Sequence, residues 1–408
     1  MDLAAMRERV LAALDAAQRA WLQGLDLLGL ARTVDGQPAW PHAWRFSAQV
    51  LAYDAGLLRQ LLWTLAAIAL ALTCAGAALL SQRRTRRHRQ VPAPARPHPL
   101  LTWPRAWWAL AALALLAAPW PPAHLVFTRA VPTSFHQSPT GFEARAIVAG
   151  QQLYAAHCAS CHGPTARGDG PRAAQGGPND LWPPTLIGNL LSKRLEGELL
   201  WRVRHGWQAD EGPHPPHAFG AALSAEQTWQ VLDFLRANAA GQNVAEGGGW
   251  PQPVRLPRAQ SACPAAPASL RTRLVFADTV PADLRPDPRL FTVLVTPAGA
   301  ASGAADSVAV DCTLDDPDFR TAMAQLLGVP PTSLNGHQVL SDRAGWLRAR
   351  STPGAAGWRD DDLLCQTPTG PEAAVADASR PVGEGLDALI ARMDAAPLLP
   401  LRAGFAHR

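Results

Sequence analysis

Residues 61–80 read LLWTLAAIALALTCAGAALL and contain no charged side chain. Twenty apolar residues in a row form a helix about 30 Å long, which is the thickness of the hydrocarbon core of a bilayer. A soluble domain rarely buries a helix that is apolar on every side. The run therefore predicts a transmembrane helix at 61–80, with the lipid membrane as its partner.

A second apolar run occupies 106–127 and begins AWWALAALALLAAPW. It carries tryptophans near both ends, as interfacial segments do, but three prolines interrupt its second half. If it continues through Phe127, it is long enough to cross the membrane. The sequence predicts a second transmembrane helix here.

The segment between the two runs, 81–105, contains seven arginines and no acidic residue. Short loops rich in Arg stay on the cytoplasmic side, so both flanks of the pair are expected outside the cytoplasm. The rest of the chain has a slight acidic excess, which argues against nucleic-acid binding. No cleavable signal peptide is visible, so 61–80 is expected to act as the insertion signal. In a bacterium this corresponds to the inner membrane with the later domains in the periplasm.

Residues 150–163 read GQQLYAAHCASCHG and contain the pattern C-x-x-C-H, which is typical of covalent haem attachment. On a helix Cys158 and Cys161 face the same side, where each thiol can add to one haem vinyl group. His162 then offers its imidazole to the iron. A thioredoxin-type pair would follow a strand, whereas the flank here is helical, and a zinc site would need two further ligands. The motif predicts one covalent haem c.

An apolar stripe follows in a helix predicted to open at Ser224, through a capping box with Gln227. The stripe consists of Trp229, Leu232, Phe234 and Leu235. With the attachment motif and the G-D-G loop at 168–170, this aromatic C-terminal helix makes residues 146–241 resemble a class I monohaem cytochrome c domain. The resemblance implies an all-α fold that transfers single electrons. The sequence near the motif shows no catalytic triad and no carboxylate pair, so nothing there suggests an enzyme.

The resemblance also implies a methionine as sixth iron ligand, fifty to sixty residues after the motif. The corresponding stretch, 212–220, reads GPHPPHAFG, and all four methionines lie outside the domain. His214 is the predicted replacement, His217 is the alternative, and an open position is the third reading. Two histidines would give a lower potential than His/Met ligation. An open position would instead favour a haem enzyme or a gas or redox sensor.

Two segments, WPHAWRFS at 40–47 and PTSFHQSPTG at 132–141, make residues 20–145 resemble the end of a bacterial copper-resistance D type membrane domain. This implies a link to copper handling and another membrane subunit that completes the domain. His42, His124 and His136 are possible copper ligands by residue type. No metal-ligand spacing connects them, so an interfacial or structural role is the other interpretation.

The C-terminal region alternates strand-like and helix-like runs, and their order resembles a thioredoxin-like α/β domain without its C-x-x-C. Cys263, Cys312 and Cys365 are far apart in the sequence, which does not fix their pairing. One disulfide, with Cys263–Cys312 as the first choice, would leave Cys365 free in an oxidising compartment. Residues 384–395 predict an amphipathic helix that packs on this domain.

The predicted architecture is multidomain: two transmembrane helices, an all-α cytochrome c domain and a C-terminal α/β thioredoxin-like domain. Its parts are an extracytoplasmic segment (1–60), the first membrane helix (61–80), a basic cytoplasmic loop (81–105), the second membrane helix (106–127), a linker (128–145), the cytochrome c domain (146–241), a Gly/Pro-rich linker (242–262), the thioredoxin-like domain (263–370) and a tail (371–408). The expected function is a membrane-anchored c-type cytochrome that exchanges electrons with redox partner proteins.

Overall fold

A computed structural model describes residues 3–46, 55–88, 104–173, 183–188, 190–191, 194–206, 217–260, 263–299, 308–355, 357–365 and 385–398. The chain divides into two compact units. One comprises Met1–Leu28 with His42–Ala130, and the other comprises Gly29–Pro41 with Val131–Arg408.

The α-helices are α1 (Leu3–Leu27), α2 (Ala55–His88), α3 (Pro104–Leu116), α4 (Ala123–Val126), α5 (Ala144–His157), α6 (Ala159–His162), α7 (Glu196–His205), α8 (Ala225–Gly247), α9 (Pro317–Leu327) and α10 (Leu386–Ala395). The strands are β1 (Thr33–Val34), β2 (Gln37–Pro38), β3 (Trp44–Phe46), β4 (Phe127–Arg129), β5 (Arg271–Phe276), β6 (Leu290–Thr296), β7 (Cys312–Asp315), β8 (Gln338–Ser341) and β9 (Leu347–Ser351), with 3-10 turns at Pro331–Ser333 and Asp360–Asp362.

Helix α2 contains the first apolar run and extends beyond it at both ends. Within it, Gly56–Arg83 is long and apolar enough to cross a membrane, and it is the one such helix among the described residues. Its large apolar side chains point outward: Trp63, Leu72 and Leu80 are each more than 60% exposed. A helix buried in a soluble core would cover these side chains, so the exposure favours a lipid-facing helix.

The second apolar run differs from its prediction, because helix α3 ends at Leu116. Its thirteen residues span about 20 Å, which is shorter than a bilayer core. Pro119, Pro121 and Pro122 remove backbone donors directly after it, and this ends the helix. The chain nevertheless continues along α2, since the Thr64 hydroxyl donates to the Pro119 carbonyl at 3.0 Å. The prediction of one continuous helix at 106–127 is therefore wrong.

In the second unit, α5 and α8 cross closely. A side chain at Gly150 in α5 would overlap the backbone carbonyl of Gln230 in α8, so glycine permits the approach. One turn later the rings of Tyr154 and Phe234 lie 5.1 Å apart. Helix α8 begins at the Ser224 N-cap with the expected capping box, which confirms the predicted start.

The C-terminal region is an α/β layer built on a five-stranded sheet with the order β7-β6-β5-β8-β9. Strands β5, β6 and β7 are parallel, whereas β8 and β9 are antiparallel to their neighbours. Helix α10 covers part of the sheet with Leu389, Ile390 and Met393, as predicted for the helix at 384–395. Cys263 and Cys312 form a disulfide with a Cα–Cα distance of 5.8 Å, and Cys365 is a buried free thiol. The thioredoxin-like assignment stays a prediction.

The predicted linker at 242–262 also differs from the structure. Helix α8 continues to Gly247 and ends on the left-handed Gly248, so the glycine cluster is a helix C-cap. Trp250 and Val254 are then buried at 3% and 8% exposure. The Trp250 indole donates to the Leu326 carbonyl of α9 at 3.2 Å. The helical region and the sheet region consequently share one hydrophobic core.

Gly241 tests this shared core. Its Cβ position overlaps the Gln325 carbonyl in α9, so Gly241→Ala should separate the helices and lower the free energy of unfolding by about 1–3 kcal/mol. The matched control is Gly247→Ala in the same helix, where a Cβ meets nothing within 4 Å. Denaturant unfolding of the detergent-solubilised chain measures both variants. Equal stability of the two variants would contradict the packed interface.

Candidate haem-binding site

The attachment motif lies at a helix break. Helix α5 ends at Cys158, and α6 continues from Ala159 to His162, with the His162 amide donating to the Cys158 carbonyl at 2.9 Å. Neither Cys158 nor Cys161 is in a disulfide. Burial, and then the neighbouring Cys161, raise the pKa of the Cys158 thiol to about 12. The two sulfur atoms are therefore available as thiols at the edge of an apolar core.

The imidazole of His162 is oriented by a backbone carbonyl. Its Nδ1 lies 3.2 Å from the carbonyl oxygen of Pro184, and because that oxygen can only accept, Nδ1 carries the proton. The lone pair is then on Nε2, as in metal-bound histidines whose second nitrogen donates to the protein. Burial lowers the pKa of His162, which favours the neutral, ligating form.

The glycine-rich loop after the motif folds back on it. The amides of Gly168 and Gly170 donate to the carbonyls of His162 and Cys161 at 2.8 and 3.0 Å. Gly168 has a φ of +85°, and a side chain there would overlap the Pro183 carbonyl. The Tyr154 hydroxyl also donates to the Gly163 carbonyl at 2.7 Å. These bonds fix His162 and the Pro183–Pro184 segment relative to each other.

His217 faces His162 across the site. The ring centroids are 6.0 Å apart and the ring planes are nearly perpendicular, at 85°. Bonds from imidazole nitrogen to a metal ion are about 2 Å long, so two imidazoles on one ion place their centroids about 6 Å apart. The pair therefore fits two axial ligands of one iron. His214, the first choice from the sequence, lies outside the described residues.

Helix α7 sets the position of His217. The amides of Phe219 and Gly220 donate to the carbonyls of Val203 and Arg204 at 2.8 and 2.9 Å, which fastens the segment after His217 to the end of α7. The His217 ring packs against Phe219, with 5.0 Å between centroids. Burial is the main cause that lowers the His217 pKa, and a hydrogen bond to the Arg202 backbone opposes it. The imidazole is therefore neutral at physiological pH.

The wall of the site is apolar and comes from three helices and one loop. Its buried members are Tyr154, Ala166, Leu199, Leu200, Trp229, Val231, Leu232, Phe234 and Leu235. Leu153, Leu186, Ile187 and Leu191 pack against them. Such a lining suits a large flat apolar group and excludes water from its iron. The predicted stripe Trp229, Leu232, Phe234 and Leu235 is part of this wall.

Sequence reasoning missed two elements beside the site. One is Pro184, whose carbonyl is the acceptor for His162 and which no pattern in the sequence marks for this task. The dipeptide Asp35–Gly36 was overlooked although it is a strong hairpin signal, and it forms the turn between β1 and β2. Asp35 lies 2.8 Å from the Arg204 guanidinium and 2.9 Å from the His205 imidazole.

The three candidate copper ligands are not brought together. His42 accepts a hydrogen bond from the Trp21 indole at 3.0 Å, and His124 lies in α4. His136 belongs to the other unit, where it is buried next to Pro38. The described residues contain no group of three potential metal-binding side chains. Copper binding stays a prediction from the resemblance.

Asp233 is a buried carboxyl on α8, at 1% exposure. The Thr140 hydroxyl donates to it, and Arg236 lies 3.9 Å away. Burial is the largest influence and raises the pKa of Asp233 to about 6, against the opposing effects of Arg236 and Thr140. The carboxyl thus ties the segment before α5 to α8 and changes charge near neutral pH.

Two comparisons bear on this site. Residues 147–239 match the cytochrome c family, which corresponds to roughly a quarter of the chain and to the predicted domain at 146–241. No curated protein matches the chain. The matched residues include the attachment motif, α7 and the crossing of α5 with α8.

Asp233 generates a prediction about pH. Its folded-state pKa of about 6 exceeds the ordinary 3.8, so its contribution to stability is full below pH 4 and is lost as the pH rises through 6. The pKa difference between 3.8 and about 6 corresponds to about 3 kcal/mol in the free energy of unfolding. Asp233→Asn should therefore raise the free energy of unfolding at pH 8 and remove the pH dependence between 4 and 6. Urea titrations at several pH values measure this.

The control is Glu226→Gln, at an exposed position of the same helix. It should leave the pH profile of the unfolding free energy as in the unsubstituted chain. If Asp233→Asn also preserves that profile, Asp233 is not the titrating group.

Proposed function

We propose that this chain, whose residues 147–239 form a cytochrome c domain, is a membrane-anchored electron carrier with a single covalent haem c. The observation that carries the proposal is the pair of imidazoles, His162 and His217, which face each other 6.0 Å apart beside two free thiols. A haem iron that is held by two protein ligands has no coordination position left for a substrate. An electron carrier does not need such a position.

Each residue has a defined task in this proposal. Cys158 and Cys161 would hold the porphyrin by adding to its vinyl groups as thioethers, and His162 and His217 would hold its iron. The haem supplies a one-electron iron couple when bound. Pro184 keeps His162 in the tautomer that ligates through Nε2. The apolar wall excludes water, and bis-histidine ligation places the potential below that of His/Met cytochromes.

The membrane part of the proposal rests on α2 and its flanks. The span Gly56–Arg83 is followed by the arginine-rich segment, which the positive-inside rule places in the cytoplasm. Trp63 and Trp120 are exposed near one end of the apolar segments and Trp108 near the other end, as in an interfacial aromatic belt. The Cys263–Cys312 disulfide agrees with an oxidising compartment. Together they support a bacterial inner-membrane protein with its haem and C-terminal regions in the periplasm.

The partners follow from this placement. A carrier with a buried iron exchanges electrons with other redox proteins that dock near the haem edge. The short second apolar helix and the resemblance of residues 20–145 to a longer membrane domain support association with another membrane subunit. The arginines are concentrated beside the membrane span, which does not favour nucleic acid as a partner.

His217→Ala tests the ligand assignment. Loss of the sixth ligand should convert a low-spin haem that binds carbon monoxide slowly into a high-spin haem that binds it rapidly, because the wall residues that the structure describes are apolar. Ferric and ferrous visible spectra of the full chain, with and without carbon monoxide, measure the change. His214→Ala is the matched control and should keep the low-spin spectrum.

Three outcomes would contradict this assignment. Conversion by His214→Ala instead of His217→Ala would make His214 the ligand. A high-spin, carbon monoxide-binding haem in the unsubstituted chain would favour the enzyme or sensor alternative. A Cys158→Ser, Cys161→Ser chain that still carries covalent haem would remove the basis of the proposal.

The orientation is tested with alkaline phosphatase fusions, since this reporter is active only outside the cytoplasm. A fusion after residue 95 should be inactive, whereas a fusion after residue 260 should be active. An in-frame insertion of the reporter after residue 41, with the rest of the chain following it, should also be active. The protein should also remain in the membrane fraction after alkaline carbonate extraction. Activity at residue 95 would reverse the topology, and release by carbonate would exclude a transmembrane anchor.

A further inference from the structure

A small hairpin lies in the sequence between the two parts of the first unit but belongs to the second unit, which contains the haem-binding site. Strands β1 and β2 pair across Asp35 and Gly36, whose φ angles are +48° and +83°. Two consecutive positive φ values define a type I′ turn, which Asp, Asn and Gly adopt at low cost. The turn therefore presents the Asp35 carboxylate at a fixed position.

The hairpin is anchored to the segment 132–137 on its other side. The Gln37 side chain donates to the Gln137 carbonyl at 2.7 Å and accepts from the Gln137 amide at 3.0 Å. The Trp40 amide donates to the Pro132 carbonyl at 2.7 Å, and the Trp40 and Phe135 rings pack 4.7 Å apart. These contacts hold the hairpin as a rigid element rather than a loose tail.

Asp35 is directed at the C-terminal end of α7. Its side chain is 7% exposed and accepts from Arg204 Nε at 2.8 Å and His205 Nε2 at 2.9 Å. Burial opposes ionisation, but the hydrogen bonds from His205 and Arg204 prevail and lower the pKa of Asp35. The side chains of Asp35 and Arg204 are largely buried, and a charge-assisted pair in such a place fixes its partners more strongly than an exposed ion pair.

Arg204 connects Asp35 to the distal side of the haem site. While its Nε donates to Asp35, its Nη1 donates to the Leu223 carbonyl, and its own backbone carbonyl accepts from Gly220. Leu223 and Gly220 bracket the turn that follows His217. One side chain therefore fastens the hairpin, the end of α7 and the distal segment to each other.

We propose that Asp35 is a positioning residue for the distal haem ligand: through Arg204 and His205 it holds the end of α7 where His217 faces His162. This inference rests on the proposed function, because it assumes that His217 ligates the iron. Asp35 does not touch the haem or the iron. It sets how readily His217 leaves the iron.

The test is Asp35→Asn in the full-length, haem-loaded chain. Asparagine keeps the type I′ turn, removes the charge and replaces one of the two acceptor oxygens with an amide that only donates. Carbon monoxide can bind a six-coordinate ferrous haem only after the distal ligand leaves, so its binding rate reports the release of His217. The rate should increase about tenfold, the factor equivalent to a lost charge-assisted hydrogen bond of about 1.4 kcal/mol. Covalent haem content should not change.

Asp287→Asn is the matched control, since Asp287 also pairs with an arginine, Arg289 at 2.6 Å, but in the C-terminal region. It should leave the carbon monoxide rate unchanged. His205→Gln is the second variant, with Arg204 still paired to Asp35, and should increase the rate about two- to fivefold. It replaces Asp35→Asn as the test if that chain does not accumulate.

The outcomes separate the two claims. Suppose that the unsubstituted chain is low-spin and that Asp35→Asn binds carbon monoxide at the same rate. This result overturns the positioning role and leaves the electron-carrier proposal intact. The same holds for an unchanged rate in His205→Gln, if that variant serves as the test. An unsubstituted chain that is already high-spin overturns both. An equal increase in Asp287→Asn would show a general loss of stability and would also overturn the positioning role.

Discussion

The crossing of α5 with α8 is the contact on which the rest of the second unit depends. On one face the pair supplies Tyr154, Leu232 and Phe234 to the wall of the haem site. On the other face it supplies Ile147, Ala240 and Val244 to the core shared with the sheet region. Each large side chain buried in this way contributes about 1.5–3 kcal/mol. Because both cores use the same two helices, a change at Gly150 would affect both.

The C-terminal sheet is stabilised in a different way, by buried arginines whose donors meet backbone carbonyls. Arg348 is fully buried and donates to the carbonyls of Cys365, Met393 and Ala396. Burial lowers the pKa of its guanidinium, but these acceptors and Asp342 offset the cost of the charge. Arg348 thereby fixes α10 on the sheet. The C-terminal sheet region is consequently a packed part of the second unit and not a separate domain on a linker.

The parts that could be predicted from the sequence are those that depend on local spacing. Three features depend only on residues within their own segment: the C-x-x-C-H pattern, the Ser224 capping box and the uncharged run at 61–80. The first of them lies in the part of the chain that matches the cytochrome c family. The linker prediction failed because Gly248 ends a helix instead of opening a flexible segment, which only the partners of Trp250 reveal. The predicted helix at 106–127 is too long because its length was taken from hydropathy, whereas the prolines that follow end the helix at Leu116. The choice between His214 and His217 depends on how the chain folds back from α7, which spacing does not encode.

The two proposed iron ligands are held in place by residues at very different distances along the sequence. His162 is oriented by Pro184, twenty-two positions away in the same loop system, and would keep this contact in the haem region alone. His217 depends on α7, which is held at its start by the Thr133 hydroxyl on the Gly197 carbonyl and at its end by Asp35 on Arg204. Thr133 and Asp35 lie in the two chain segments that connect the second unit to the first in the sequence. Since both segments contact one helix, the position of His217 depends on more distant parts of the chain than the position of His162 does.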